Sequence, residues 1–300
     1  MTAATPRTVE QYLDSLRSAL HGADRALIQD ALYDAEEHLR AELAQRPGDN
    51  EGDVLASIVT SYGAPEEVAD AYRSNEATIQ AALRTPPPRP RTTTIGRFFG
   101  VYADPRAYLS LMYMLLALVT GVAYFTFAVT GLSMSIGLAI LIIGVPFFLL
   151  FVGAARFVAL AEGRVVETLL GTRMPRRPVY PDHDTPFLQR IGEMLKDPRT
   201  WGTLVYFLLM LPLGVFYFVF VVVGIIVSLA TFLAPIFVLL YHAGLVQIDG
   251  EVQAPHPAVL PLISILGLLL LTVTMHLARG IGYLHGQLAK TLLVQAPGSG

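Results

Sequence analysis

Two long stretches without a charged side chain constrain this chain more than any other feature. Residues 107 to 155 and 202 to 248 contain no Asp, Glu, Lys or Arg, and each is long enough for two membrane-crossing helices of about 20 to 25 residues. A third apolar segment, 255 to 275, fits one more span and carries only the titratable His256. Turns are expected near Gly131 to Ser135 in the first stretch and at Gly224 in the second, which gives five apolar segments. The composition agrees, with 53% hydrophobic residues, 15% charged residues and a mean hydropathy of +0.52, outside the balance of a soluble globular protein.

The region before these stretches is of another kind. From Thr8 to about Leu83 apolar residues recur at helical spacing, as in Leu13, Leu16 and Leu20, then Leu27, Ala31, Ala35, Leu39 and Leu43, so three or four amphipathic helices are predicted. Thr8 and Gln11 have the spacing of a capping box. Asp53 is the expected cap of a helix carrying Val54, Ile58 and Val59, Gly63 its stop, and Pro65 the first turn of the next helix. Val68, Ala71 and Tyr72 are expected to pack onto this small core. TPPPRPRTTT, residues 85 to 94, cannot continue a helix and reads as a semi-rigid linker. Its arginines, with Arg84 and Arg97, suit an anionic lipid surface.

Shifting the chain by 93 residues aligns YADPRAYLSLMY with LKDPRTWGTLVY, and then Gly121 with Gly214, Tyr124 with Tyr217, Phe125 with Phe218 and Gly131 with Gly224. Duplication explains this better than shared apolar composition. In each copy the aspartate (Asp104, Asp197) is a helix cap, the proline (Pro105, Pro198) suits the first helical position, and Arg106 and Arg199 stay among headgroups. Tyr108 and Trp201 fall at the interface. Before the second copy, Phe187, Leu188, Ile191, Met194 and Leu195 form one face of a short surface helix.

Basic residues set the expected orientation. Arg156, Arg164, Arg173, Arg176, Arg177, Arg190, Lys196 and Arg199 lie between the second and third apolar segments, which makes that connection cytoplasmic. The first forty residues are too polar for a signal peptide, so the N-terminus is expected in the cytoplasm. Arg279 and Lys290 favour an internal C-terminus. Five full crossings would place it outside, so Ser228 to Gly244, with Pro235 at its middle, is the expected re-entrant segment. The similarity of VPFFLLF (145 to 151) to APIFVLL (234 to 240) argues for a full crossing there instead.

YLDSLRSAL, DALYDAEEHLRAEL and YGAPEEVADAY resemble the HAAS domain, a small cytoplasmic helical module attached to bacterial membrane sensors. DPRAY and DPRTW, LAEGRVVETLLG, and LHGQLAKTLL near the end resemble the sensor domain of bacterial histidine kinases. The resemblance implies signalling by association, in the bacterial inner membrane, with a PadR-like transcriptional regulator as the cytoplasmic partner. The chain ends shortly after LHGQLAKTLL, so kinase activity is not expected.

No catalytic, cofactor or metal site emerges. Without cysteine there is neither thiol chemistry nor a cysteine metal site. His183 in PDHDTP has no matching ligand cluster, and Asp184 or Thr185 capping a helix opened by Pro186 accounts for the loop. His276, Arg279 and His285 are read as interfacial, with Leu277, Ile281, Leu284 and Leu288 packing an amphipathic extension. The spans are read as free of ionisable groups, which argues against a pump or ion-coupled transporter. Tyr113, Tyr124, Phe125, Tyr206, Tyr217 and Phe218 are candidates for an apolar pocket between the repeats.

The expected architecture is all-α, a small cytoplasmic bundle followed by a polytopic membrane domain of two parallel repeats. Its parts are a HAAS-like domain (1 to 84), the proline-rich linker (85 to 94), repeat 1 (95 to 171), a cytoplasmic loop (172 to 184), repeat 2 (185 to 248), and a last span with an amphipathic tail (249 to 300). The expected role is a non-enzymatic membrane sensor that couples a bilayer or lipophilic stimulus to a cytoplasmic protein. The alternative is a membrane scaffold or transport accessory. The net charge of -3 gives no reason to expect direct nucleic-acid binding, and oligomeric state is left open.

Overall fold

The computed structural model describes residues 6–83, 93–140, 143–176, 196–245 and 256–294. Among these residues all regular structure is helical. Helices α1 (Val9–Ala19), α2 (Arg25–Ala44), α3 (Glu51–Tyr62) and α4 (Pro65–Leu83) form the N-terminal bundle. Its core gathers Tyr12, Leu16, Leu20, Ala31, Ala35, Leu39, Leu55 and Ile58. Thr8 accepts from Gln11 N and caps α1, while the Gln11 side chain accepts from Arg7 N at 2.9 Å. Asn50, not Asp53, caps α3, because the helix starts at Glu51 and leaves Asp53 in its first turn. Gly63 stops that helix with φ +113°, and the Tyr12 hydroxyl donates to its carbonyl at 2.9 Å. Val68 and Ala69 are buried, whereas Ala71 is exposed. The buried face of α4 is thus set by positions 65, 68, 69 and 76, one helical stripe.

Thr93 caps α5 (Thr94–Phe98), and a 3-10 turn (Phe99–Ala103) leads into the apolar helices. These are α6 (Pro105–Leu138), α7 (Gly144–Leu170), α8 (Pro198–His242) and, after a 3-10 turn (Pro257–Val259), α9 (Leu260–Leu293). Asp104 and Asp197 accept from Arg106 N and Arg199 N at 3.0 and 2.9 Å, each with proline at the following position. The expected linker (85 to 94) ends earlier than its sequence suggests, since Thr93 and Thr94 cap and begin α5, while its residues 85 to 92, the surface segment from Phe187 to Leu195 and the loop around His183 lie outside the described residues.

Among the described residues four helices, not five, are long and apolar enough to cross a membrane. Large apolar side chains such as Leu150, Phe157 and Ile226 are 71, 73 and 60% exposed, which requires a lipid environment. The chain is a multi-pass membrane protein. The expected turn at Gly131 to Ser135 is continuous helix, as is the expected break at Gly224, and Ser228 to Gly244 belongs to α8 rather than to a re-entrant hairpin. Glycine at these points serves close packing: a Cβ on Gly131 would enter the Phe151 ring, and one on Gly224 would meet Thr274. Pro212 and Pro235 lie inside the unbroken α8. Each costs one backbone donor.

The two copies run in the same sense. The ends of α7 and α9 lie side by side, because a Cβ on Gly282 would meet Leu170 and one on Gly286 would meet Thr172, and Arg173 and Lys290 both reach α2. α6 packs antiparallel to α7, with Gly131 against Phe151, and α8 antiparallel to α9, with Gly202 against Leu292 and Gly224 against Thr274. α6 and α8 cross where a Cβ on Gly121 would strike the Met210 carbonyl and one on Gly214 the Ala117 carbonyl, and Tyr124 packs on Phe207 there with ring centroids 5.1 Å apart.

The helix that returns the second copy is therefore α9, not residues 228 to 244. α7 and α9 align at an offset of 123 residues, pairing Ala155 with Ala278, Arg156 with Arg279, Glu162 with His285, Gly163 with Gly286, and Thr168, Leu169, Leu170 with Thr291, Leu292, Leu293. The extra length comes from α8, which is 45 residues against 34 for α6, together with the connection that follows it. The contacts obey the same pseudo-two-fold relation: Arg279 bonds Asp104 at 2.8 Å, and Arg156 bonds Asp197 at 2.9 Å.

Candidate functional site

At the centre of this relation lies a buried polar cluster. Glu162 of α7 and His285 of α9 are 0 and 1% exposed. One glutamate oxygen, Oε1, accepts from Tyr113 at 2.7 Å and from Tyr206 at 2.9 Å. Its other oxygen, Oε2, accepts from Tyr124 at 2.8 Å. His285 mirrors this. Its Nε2 lies 2.6 Å from the Tyr113 hydroxyl and 3.0 Å from that of Tyr206, and its Nδ1 lies 3.0 Å from the Tyr217 hydroxyl. Tyr113 and Tyr206, 93 residues apart, bridge the acid and the imidazole, while Tyr124 and Tyr217 flank them.

The helices place these groups by simple geometry. Tyr113 and Tyr124 are three turns apart on α6, and their side chains converge on one carboxylate from either side, as Tyr206 and Tyr217 converge on the imidazole. Close approach of α6 and α8 at Gly121 and Gly214 brings all four helices within reach of the centre. Leu204, Phe207, Met210 and Val166 seal it. Ionisable groups enclosed by apolar helices are expensive and mark function by default.

Sequence reasoning placed Glu162 beyond the second span and His285 in an interfacial tail. Both lie within helices of membrane-spanning length, so the spans are not free of ionisable groups. Of the six aromatic candidates, four tyrosines join the polar centre, whereas Phe125 and Phe218 are half-buried or more exposed. His276 is apart from His285, stacked on Phe98 and bonded to its carbonyl oxygen at 2.8 Å. Tyr108 and Trp201 are 49 and 47% exposed. Among the described residues no group of three metal-ligating side chains forms.

A second cluster ties the N-terminal bundle to the ends of the apolar helices. Arg173, just past α7, donates to Asp30 of α2 at 2.9 Å, to Glu76 of α4 at 3.0 Å and to Glu167 of α7 at 3.4 Å. Backbone Arg176 N donates to Asp30 at 2.6 Å, and Lys290 near the end of α9 pairs with Asp24, the cap of α2. Burial lowers the affinity of Arg173 for its proton, and Asp30, Glu76 and Glu167 outweigh that, holding the guanidinium above its ordinary range. Sequence reasoning gave Arg173 and Arg176 only a topological role.

The family model described as "Putative sensor" matches residues 113–293, from the first bridging tyrosine to the end of α9. The chain belongs to that family. The HAAS model matches residues 11–71, so the sensor domain carries a HAAS bundle before it, in the expected order. No curated protein and no solved structure matches the chain. The sensor-family domain thus contains the whole polar centre, and the HAAS domain supplies Asp24 and Asp30 to the docking cluster.

Proposed function

We propose that this protein is a membrane-embedded sensor in which a rearrangement of the two hairpins is passed to the HAAS domain and from there to a cytoplasmic protein. The observation that carries the reading is the path of direct contacts. α7 and α9 hold Glu162 and His285 at one level, and further along each chain segment Arg173 and Lys290 grip the HAAS bundle. A shift of one hairpin against the other moves one grip relative to the other and strains the bundle they share. The bundle and the end of α9 lie on the same side, which we assign to the cytoplasm of a bacterial inner membrane because the basic residues gather there. The stimulus on this reading is a change in the bilayer or a lipophilic compound within it. A PadR-like regulator is the partner we assign, acting without contact between this chain and nucleic acid.

Deleting residues 1 to 84 tests the reading. Transcription of neighbouring genes under envelope stress is expected to lose its response, and a regulator bound by the full chain should no longer be pulled down. Retained partner capture by the full chain with transcription unaffected by the deletion would instead identify a scaffold or transport accessory.

A further inference from the structure

The hydrogen bonds of the polar centre admit an assignment of protons that leaves no contact without a donor. With Glu162 ionised and His285 neutral, Tyr113, Tyr206 and Tyr124 donate to the carboxylate and Tyr217 donates to Nδ1. The imidazole Nε2–H then faces the oxygens of Tyr113 and Tyr206. Five protons then serve the six contacts, Nε2–H being shared between two oxygens, and one negative charge remains among apolar helices. The titratable groups facing the centre are Tyr113 and Tyr124 from α6, Glu162 from α7, Tyr206 and Tyr217 from α8, and His285 from α9. The nearby cations Arg156 and Arg279 are bound to Asp197 and Asp104, so none of them neutralises it.

We propose that this centre is a proton-binding site that takes one proton from water, on His285 Nδ1 or on Glu162 Oε2, and thereby loses its net charge. Either position reverses one hydrogen bond. A proton on Nδ1 donates to the Tyr217 oxygen, and the Tyr217 hydroxyl proton turns away. A proton on Oε2 does the same to Tyr124, whose ring rests on Phe207 across the α6–α8 interface. Uptake therefore changes bonding where the hairpins meet. This does not depend on the signalling reading, because the measurement below concerns the proton alone.

The test is infrared difference spectroscopy on the full chain in lipid nanodiscs between about pH 8 and about pH 5. The wild type is expected to gain either a carboxylic C=O band that Glu162→Gln lacks or an imidazolium band that His285→Gln lacks. Spectra in which both variants titrate like the wild type would overturn the proposal. Should those substitutions prevent folding, Tyr124→Phe and Tyr217→Phe each remove one flanking hydroxyl. One of them is expected to move the titration midpoint by about one pH unit, and a midpoint unmoved in both would overturn the proposal.

Discussion

Tyr113 and Tyr206 each reach both the carboxylate and the imidazole, so each loss is felt twice. Replacing either by phenylalanine leaves buried Glu162 short of a donor, at a cost of about 1–3 kcal/mol, read as a lower thermal unfolding midpoint of the full chain in detergent. Tyr12→Phe in the HAAS bundle loses only the bond to Gly63 O and is expected to cost about 1 kcal/mol. Gly121→Leu must push a side chain into the Met210 backbone. Overpacking of this kind costs about 1–3 kcal/mol or more, and hydrogen exchange should show α6 and α8 opening together. These tyrosines were legible as a set from the 93-residue repeat. Their polar role was not, since an aromatic stripe at helical spacing looks the same whether it packs on lipid or on a carboxylate.

Among the elements, the segment after α7 ties the HAAS bundle to the apolar helices. Arg173 links α2, α4 and α7, with side chains only 8 to 20% exposed around it. Arg173→Ala leaves Asp30 and Glu76 enclosed without their cation, and breaking a buried pair costs about 3–5 kcal/mol. The expected outcome is faster protease cleavage between the HAAS bundle and α6, with the four apolar helices still protected. Arg173→Lys should rescue this only in part, because one ammonium cannot reproduce the planar fork that serves three carboxylates. Sequence periodicity located α1 to α4 well, because each buries a single stripe. It misplaced the turns in the apolar helices, where glycine and proline usually signal a break. There the neighbouring helix fills the space beside each glycine, and the apolar surroundings make a broken backbone more costly than a missing donor.

For the whole molecule, the crossing of α6 and α8 is the feature most open to direct test. The chain has no cysteine, so introduced pairs react cleanly. Phe127→Cys with Phe207→Cys, whose rings lie 6.2 Å apart, should be joined by a short bifunctional reagent. The 45 residues of α8 make about 68 Å of helix, more than twice the hydrocarbon core of about 30 Å. A helix of that length is accommodated by tilting or by deforming the bilayer.

The sequence alone determined the class of this protein: charge-free runs dictate membrane helices, the amphipathic stripe dictates a separate bundle, and Asp-Pro-Arg twice marks where α6 and α8 begin. These are local properties, written in adjacent residues. Only the tertiary structure decided that α6 and α8 cross at Gly121 and Gly214, that α9 rather than residues 228 to 244 completes the second copy, and that Tyr113 and Tyr206 bridge Glu162 and His285. Tyr113 and His285 are 172 residues apart, and Arg173 and Asp30 are 143 apart. A buried charge is tolerated only where partners from several helices converge, and that convergence is set by helix packing at Gly121 and Gly214, which no local pattern records.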